Sequence, residues 1–302
     1  MDIVKVWLNA FRLKTLPLAF SCIIMGSVLA FKTGSFNLPV FLLALFTTLS
    51  LQVLSNLAND YGDAVKGTDN ENRIGPPRAV QSGLISKENM KKGVVVFAII
   101  SLVSGLALLY ISFEVININF IGFVFLGLLS IAAAIKYTVG KNAFGYMSLG
   151  DLFVFLFFGW LGVIGVYYLY THSFNIYALL PATCVGLFSA GVLNLNNLRD
   201  IDNDKMSNKI TIAVRLGNVN ARIYHFILLV VAWLCQIVFV SIKGESAWEW
   251  LFILSFPIFL LNAKKVMNHK EAKELNPSLK QLALATFLFT ILYSVGLLIS
   301  YA

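Results

Sequence analysis

Charge is scarce in this chain. Only 13% of its 302 residues are Asp, Glu, Lys or Arg, about half of what a soluble domain carries, so a water-soluble globular enzyme is excluded. Histidine is nearly missing as well. His172, His225 and His269 are scattered and offer no metal-ligand spacing. The three cysteines, Cys22, Cys184 and Cys235, each sit inside an apolar run. Their separation excludes zinc and dithiol motifs, and they read as small packing residues. The first residues, MDIVKVWLNAFRLKTLP, lack a small-residue cleavage pattern and carry Asp2, so no cleavable signal peptide is expected. The net charge of +8 comes without a basic patch interleaved with aromatic platforms, which excludes a nucleic-acid partner.

Hydrophobic length is what the chain has in abundance. Apolar runs of the length a bilayer requires recur from end to end. They predict nine spans, near 15–32, 38–58, 92–112, 118–137, 150–170, 175–195, 222–241, 247–267 and 280–300. The expected fold class is therefore all-α, a polytopic membrane protein forming one integral-membrane domain over 1–302. Ile3, Val6, Trp7, Ala10 and Phe11 recur at helical spacing ahead of the first span, as in a short helix lying at the bilayer surface. With the N-terminus inside, only Lys32 and Lys243 of the 23 Lys and Arg fall outside. That asymmetry predicts a cytoplasmic N-terminus, an outer C-terminus and residence in the cell's inner membrane.

Two stretches break the apolar pattern. NLANDYGD (Asn56 to Asp63) ends the second predicted span, and NLNNLRDIDND (Asn194 to Asp204) ends the sixth. Both therefore lie on the inner face. On a helix Asn56, Asp60 and Asp63 share one side, and Asn196, Asp200 and Asp204 do the same, while Asp202 points elsewhere. Like charges stacked at the edge of an apolar phase repel one another and lose hydration. A divalent cation relieves both costs, and magnesium commonly bridges carboxylates to phosphate. The loops that follow mix charges. The first carries Lys66, Asp69, Arg73 and Arg78, with a turn at Gly75-Pro76-Pro77. The second carries Arg199, Lys205, Lys209 and Arg215. Such a mixture suits a magnesium–pyrophosphate group, with Arg78 placed to clamp a phosphate.

NDYGDAVKGTDNENRIGPPRAVQSG and NNLRDIDNDKMSNKITIAVRLGN resemble the two aspartate-rich motifs of the UbiA superfamily of intramembrane prenyltransferases. RAVQSG, TIAVRLG, LNPSLK and RLKTLP are similar to the branch acting on 1,4-dihydroxy-2-naphthoate in menaquinone synthesis. The resemblance implies nine helices around a central cavity. It implies Mg2+ held by the catalytic carboxylates Asp60, Asp63, Asp200 and Asp204, with Asn56 and Asn196 in support. It further implies a polyprenyl diphosphate donor and a 1,4-dihydroxy-2-naphthoate acceptor, joined with decarboxylation at the edge of the lipid bilayer. The expected substrate-binding residues are Asn56, Asn59, Asp69, Arg78, Lys136, Tyr137, Lys141, Tyr146, Asp151, Asn196, Asn197, Arg199 and Lys209. Where the family usually reads YTGGP and then GLGE, this chain reads YTVGKNAFGYMSLGD, with Lys141 and Asp151 in altered places. Two alternatives stand beside this reading. One is the same reaction on 4-hydroxybenzoate, homogentisate or haem. The other is a cation-coupled transporter, although transporters place their carboxylates nearer the midplane on broken helices. The D-G-x2-A-R pattern of CDP-alcohol phosphotransferases is missing.

Overall fold

The computed structural model describes residues 2–70 and 74–301. Arg73, one of the cations expected on the inner face, lies outside them. Among the described residues nine helical stretches are long and apolar enough to cross a membrane, from Ile3–Phe31 to Ala272–Ser300. They fall where the apolar runs predict.

A short N-terminal helix ahead of the first long apolar helix is present as α1 (Ile3–Phe11), capped by the Asp2 side chain and ended by Arg12 in the left-handed region at φ 51°. Its buried face, Val6 and Ala10, packs on Val53, Leu54 and Leu57 of α3 and on Met90 and Val94 of α4. Ile3, Val4 and Leu8 remain exposed, the apolar face such a helix offers to lipid. The chain then turns into α2 (Leu16–Phe31), α3 (Leu38–Lys66), α4 (Lys87–Phe113) and α5 (Ile118–Lys136). Asn37, Ser86 and Asn117 cap three of these helices by accepting backbone N–H bonds, satisfying donors that a bilayer cannot. α3 has 29 residues, and at about 1.5 Å each it outruns a hydrocarbon layer of about 30 Å. Its last three turns, which carry the first acidic motif, thus emerge at one edge of that layer. α5 has no fully buried residue; it is a peripheral wall.

The fifth span is irregular. α6 (Gly150–Val154) passes into a π-helical segment, Phe155–Gly165, and then α7 (Val166–Thr171). Here Gly159 meets Gly186 of α8 (Leu179–Arg199) backbone to backbone: a Cβ on Gly159 would lie 2.9 Å from the Gly186 Cα. Small residues allow this approach where no hydrophobic force drives helices together. α8 is the hub, packing on the π-segment, α10 (Ile212–Lys243) and α12 (Leu275–Ser300). α10 bends at Gly217, where φ is 73°. Phe188, Trp233, Phe252, Phe259 and Phe289 form an aromatic knot among α8, α10, the 3-10 segment Ala247–Ser255, α11 (Phe256–Asn268) and α12. At the membrane face opposite the acidic motifs, Lys32 pairs with the fully buried Glu249 at 3.1 Å, while Lys243 covers the Tyr177 ring at 3.8 Å. The two cations assigned to that side are both engaged.

One expectation changes. The second acidic motif is not a single helix. α8 ends at Arg199, Asp200 has φ −97° and ψ 13°, and α9 (Ile201–Met206) starts beyond it. The Asp200 N–H still reaches Asn196 O at 3.2 Å, and the Asp204 N–H reaches Asp200 O at 2.8 Å. One-turn spacing thus survives a break that lets Asp200 and Asp204 face the same space.

Candidate active site

The first motif is assembled by the loop that follows it. Asp60 accepts the Ala79 and Val80 N–H groups at 3.1 and 3.3 Å, acting as a cap for the turn that presents Arg78. Arg78 returns to the helix, its Nη2 lying 3.0 Å from Asp63 and its Nε 3.1 Å from Asp69. Its remaining nitrogen, Nη1, is buried with no hydrogen-bond partner among the described residues. Tyr146 donates its hydroxyl to Asp63 at 2.7 Å and shares a 2.6 Å bond with Thr68. Lys66 stands 3.7 Å above the Tyr146 ring. The glycine inside NDYGD has a packing reason. A Cβ on Gly62 would fall 2.8 Å from the Thr138 carbonyl carbon, so only glycine lets the 137–146 loop close on α3.

The second motif carries its own cations. Arg199 donates to both oxygens of Asp200, at 2.9 and 2.6 Å, and reaches Asn196 at 2.8 Å and Asn276 at 3.0 Å. It thereby ties the LNPSLK stretch to the site. Lys209 lies 3.3 Å from Asp204 Oδ1, while Asp204 Oδ2 is buried with no partner among the described residues. The Asn203 side chain donates to Thr68 O at 3.0 Å, and Met147 pairs with Ile210 in a parallel bridge. These links bring both motifs and the 137–151 loop into one charged chamber.

The charges explain one another. Burial first, then the neighbouring carboxylates Asp200 and Asp63, push Asp204 up to about 6 against the pull of Lys209. Burial works against the charge on Lys209, yet Asp63 and Asp204 hold its pKa above that of an ordinary lysine. Arg78 is raised in the same way by Asp63, Asp69, Asp60 and Asp200 against the cost of burial. Burial and the nearby Asp63 drive the Tyr146 phenol upward, so it remains a donor.

Beside this chamber opens an apolar cavity of about 270 Å³ between α2, α3, α4, α5 and the π-segment. Tyr137 and Phe144 are among the residues that line it. Tyr137 feels Asp151, Asp63 and Asp204, so the cavity meets the charged chamber at that ring.

The structure brings together most of the residues singled out from sequence. Asp60, Asp63, Asp69, Arg78, Tyr146, Arg199, Asp200, Asp204 and Lys209 line the chamber. Asn56 turns toward the α1–α2 elbow instead, donating to Phe11 O at 2.9 Å and Thr15 Oγ1 at 3.3 Å. Asn59 accepts from Thr138 at 3.2 Å. Asn196 holds Arg199, and Asn197 keeps a buried Oδ1 unpartnered among the described residues. Asp151 is buried beside Tyr224, its Oδ2 likewise unpartnered. Lys136 and Lys141 are exposed and make no hydrogen bond or ion pair with either motif among the described residues. Asp202 is exposed, as its helical phase predicts. Sequence reasoning missed Thr68, Asn203 and Asn276, three neutral groups that knit the loops together. It also missed Arg12, whose charge reaches Asp63; the RLKTLP stretch was the available signal.

The model of the UbiA prenyltransferase family matches residues 19–287. The chain belongs to the UbiA prenyltransferase family. It is 45% identical to the 1,4-dihydroxy-2-naphthoate octaprenyltransferase of Escherichia coli strain K12, over 98% of this chain and 96% of that protein. Two solved UbiA homologues share the fold. The apo structure from Aeropyrum pernix K1 has a TM-score of 0.67 at 17% identity and covers 100% of both chains. The Archaeoglobus fulgidus homologue bound to DMAPP and Mg2+ has a TM-score of 0.58 at 16% identity, covering 94% of this chain and 99% of its own.

In this UbiA chain no three carboxylate, histidine or cysteine groups among the described residues converge as a ready-made metal cage. Magnesium does not require one. It takes one or two carboxylates and completes its shell with water and phosphate. The pairs Asp60/Asp63 and Asp200/Asp204, with the orphaned Asp204 Oδ2, suit that demand.

Proposed function

We propose that this chain transfers a polyprenyl group from a polyprenyl diphosphate to 1,4-dihydroxy-2-naphthoate, with decarboxylation, giving a demethylmenaquinol. The observation that carries this reading is the junction at Tyr137. There an apolar cavity suited to an isoprenoid chain opens against two buried carboxylate–cation motifs suited to a diphosphate, in a chain so close in sequence to the E. coli enzyme. Nine spans among the described residues make it a multi-pass membrane protein. On the charge asymmetry of its loops, the N-terminus and both acidic motifs face the cytoplasm and the C-terminus faces outward.

Asp60, Asp63, Asp200 and Asp204 are the residues that would hold Mg2+. When bound with the donor, the ion supplies neutralisation of the departing diphosphate. Arg78, Lys209 and Lys66 lie at the same chamber and add positive charge where the leaving group gathers it. The donor's C–O bond breaks with its electron pair going to the diphosphate. The allylic cation so formed would lie beside the cavity-lining Tyr137 and Phe144, whose ring faces stabilise positive charge. The electron-rich naphthalene ring forms the new C–C bond, and its carboxylate leaves as carbon dioxide. The hydrocarbon tail stays in the apolar cavity, where each buried methylene contributes about 0.8 kcal/mol, which accounts for a site set into a bilayer.

The test is an assay of the purified chain with a polyprenyl diphosphate and, separately, 1,4-dihydroxy-2-naphthoate, 4-hydroxybenzoate and homogentisate, with products identified by mass spectrometry. Prenylated, decarboxylated naphthalenediol is expected, and it should vanish in excess EDTA. Turnover of another acceptor in preference to the naphthoate would refute the acceptor assignment. Full activity in EDTA would refute the metal site.

A further inference from the structure

Resting on that reading of the reaction, we propose that a polar ladder on α3, formed by Thr48, Gln52, Ser55 and Asn59, is the wall that takes the ring hydroxyls of the aromatic acceptor. The four residues recur at intervals of four, three and four, so they share one face of the helix. Asp63, four residues on, continues that face to the charged chamber. Thr48, Gln52 and Ser55 line the apolar cavity, and Asn59, one turn on, accepts from Thr138, the residue after the lining Tyr137.

The hydroxyls of this ladder differ from others in the spans. Ser50, Ser101, Ser130, Ser189 and Thr286 each donate back to the carbonyl four residues earlier, the usual way a hydroxyl is satisfied in an apolar helix. The Thr48 and Ser55 hydroxyls make no hydrogen bond among the described residues. Their neighbour Thr47, on the same cavity wall, has a buried Oγ1 with no partner among those residues. Gln52 gives its Nε2 to Thr15 at 3.0 Å, which leaves its carbonyl oxygen to accept. Polar groups left unpaired in an apolar cavity are costly unless a ligand pairs them. An isoprenoid tail has nothing to offer them, whereas a dihydroxy-aromatic acid does.

Position and size agree with the acceptor. Gln52 and Ser55 lie about 4.5 Å apart along the helix axis, near enough for their side chains to reach two hydroxyls of one ring. The cavity is also lined by Phe144, Phe153 and Phe157, with Phe144 and Phe153 stacked at 4.0 Å. A flat bicyclic ring would thus present its edge to α3 and its face to aromatic side chains. The ladder begins one to two turns below the carboxylates, which sets the ring next to the carbon released from the diphosphate. A few convergent polar groups in an otherwise apolar pocket are the usual means of fixing orientation.

The experiment uses the full chain in lipid nanodiscs with Mg2+ and a polyprenyl diphosphate. Acceptor and donor KM are measured for the wild type, Ser55→Ala, Ser55→Thr and Gln52→Leu. Thr15→Val serves as a control that removes the elbow's partner of Gln52, together with the Thr15 bonds to Asn56 and Arg12 O. Each acceptor is compared with 1-hydroxy-2-naphthoate, which lacks one ring hydroxyl. Ser55→Ala and Gln52→Leu should each raise the acceptor KM about tenfold and leave the donor KM within about twofold. Ser55→Thr should keep the wild-type value. The wild type should disfavour the monohydroxy analogue, and one of the two variants should lose that discrimination, since the same bond cannot be lost twice. An unchanged acceptor KM in both variants, an equal rise in the donor KM, or discrimination that persists in both would overturn the ladder. A wild type that turns over another acceptor but never the naphthoate would instead overturn the proposed function, and with it the ladder's ligand.

Discussion

Arg78 is the residue whose removal tests the electrostatic logic of the site most directly. Its guanidinium stands between two carboxylates, 3.0 Å from Asp63 and 3.1 Å from Asp69, with its side chain 8% exposed. In Arg78→Ala the carboxylates stay buried and lose that compensation. Breaking a buried ion pair from one side costs about 3–5 kcal/mol, so the metal-free protein should unfold at a clearly lower temperature in EDTA. Under the proposed function the same substitution removes a charge-assisted contact to the donor, worth about 1.5–3 kcal/mol, or roughly ten- to a hundredfold in donor KM. Added Mg2+ should recover more stability in the variant than in the wild type, because the ion then supplies the positive charge that the arginine supplied. Arg78→Lys should fall between the two, since a single ammonium cannot fork between two carboxylates. Thermal melts of the purified protein across a magnesium titration, with donor kinetics at saturating acceptor, read all three quantities. An unshifted melt in EDTA together with a donor KM within about twofold of wild type would refute the reasoning.

Other expectations follow from the same geometry. Tyr146→Phe deletes the bonds to Asp63 and Thr68 but keeps the ring beneath Lys66; kcat/KM should fall about tenfold, and Tyr146→Ala should fall further because the ring is lost too. Asp202→Asn, at an exposed position, should retain wild-type activity, whereas Asp200→Asn and Asp204→Asn should lose more than about a hundredfold; equal effects at all three would argue against the chamber. Asp204 is held near 6, above its unfolded value of 3.8. Its contribution to metal-free stability is therefore full below about pH 4 and lost as pH rises through about 6. Metal affinity should run the other way, rising between about pH 5 and 7 as the proton leaves. Melts and calorimetric magnesium titrations across that range check both signs. Gly186→Ala places a Cβ 2.8 Å from Phe155 O and 3.0 Å from the Gly159 Cα and should cost about 1–3 kcal/mol, seen as a lower melting temperature with kinetics preserved in the surviving fold.

The spans and the first motif were legible because they depend on two strong local signals, apolar length and helical spacing. Asp60 and Asp63 had to lie on the same side of α3 once α3 was a helix. The break at Asp200 was not legible. NLNNLRDIDND contains neither glycine nor proline, and the end of α8 there goes with contacts made far along the chain: Arg199 to Asn276, and Asn203 to Thr68. Asn56 was misread for a related reason. Its phase on α3 is right for the site, but an elbow at Arg12 brings Phe11 O and Thr15 within its reach. In the YTVGKNAFGYMSLGD loop the eye goes to Lys141, a charge in an unusual place. The structure leaves Lys141 exposed and seats Tyr146 on Asp63, a choice made by the pairing of Met147 with Ile210. The α3 ladder is plain in the numbering, yet it acquires meaning only when α4, α5 and the π-segment wall off the cavity in front of it.

Burying four carboxylates at the rim of a bilayer would be prohibitive if they waited bare for a ligand. Here each has a stand-in: backbone N–H groups for Asp60, Arg78 for Asp63, Arg199 for Asp200 and Lys209 for Asp204. On the proposed function the stand-ins are of the kind a diphosphate binds. Donor binding would then be an exchange of partners, in which phosphate oxygens draw the guanidinium and ammonium groups and the carboxylates so released would be free to hold Mg2+. Neither half of that exchange is favourable alone. Phosphate without metal would leave the carboxylates uncovered, and metal without phosphate would crowd cations against cations. The arrangement therefore predicts that Mg2+ and donor bind with strong mutual cooperativity, each raising the other's affinity by the same factor. Titrating one in the presence and absence of the other measures that factor. Independent binding of the two would mean that the stand-ins are permanent structural pairs and that the diphosphate is held elsewhere.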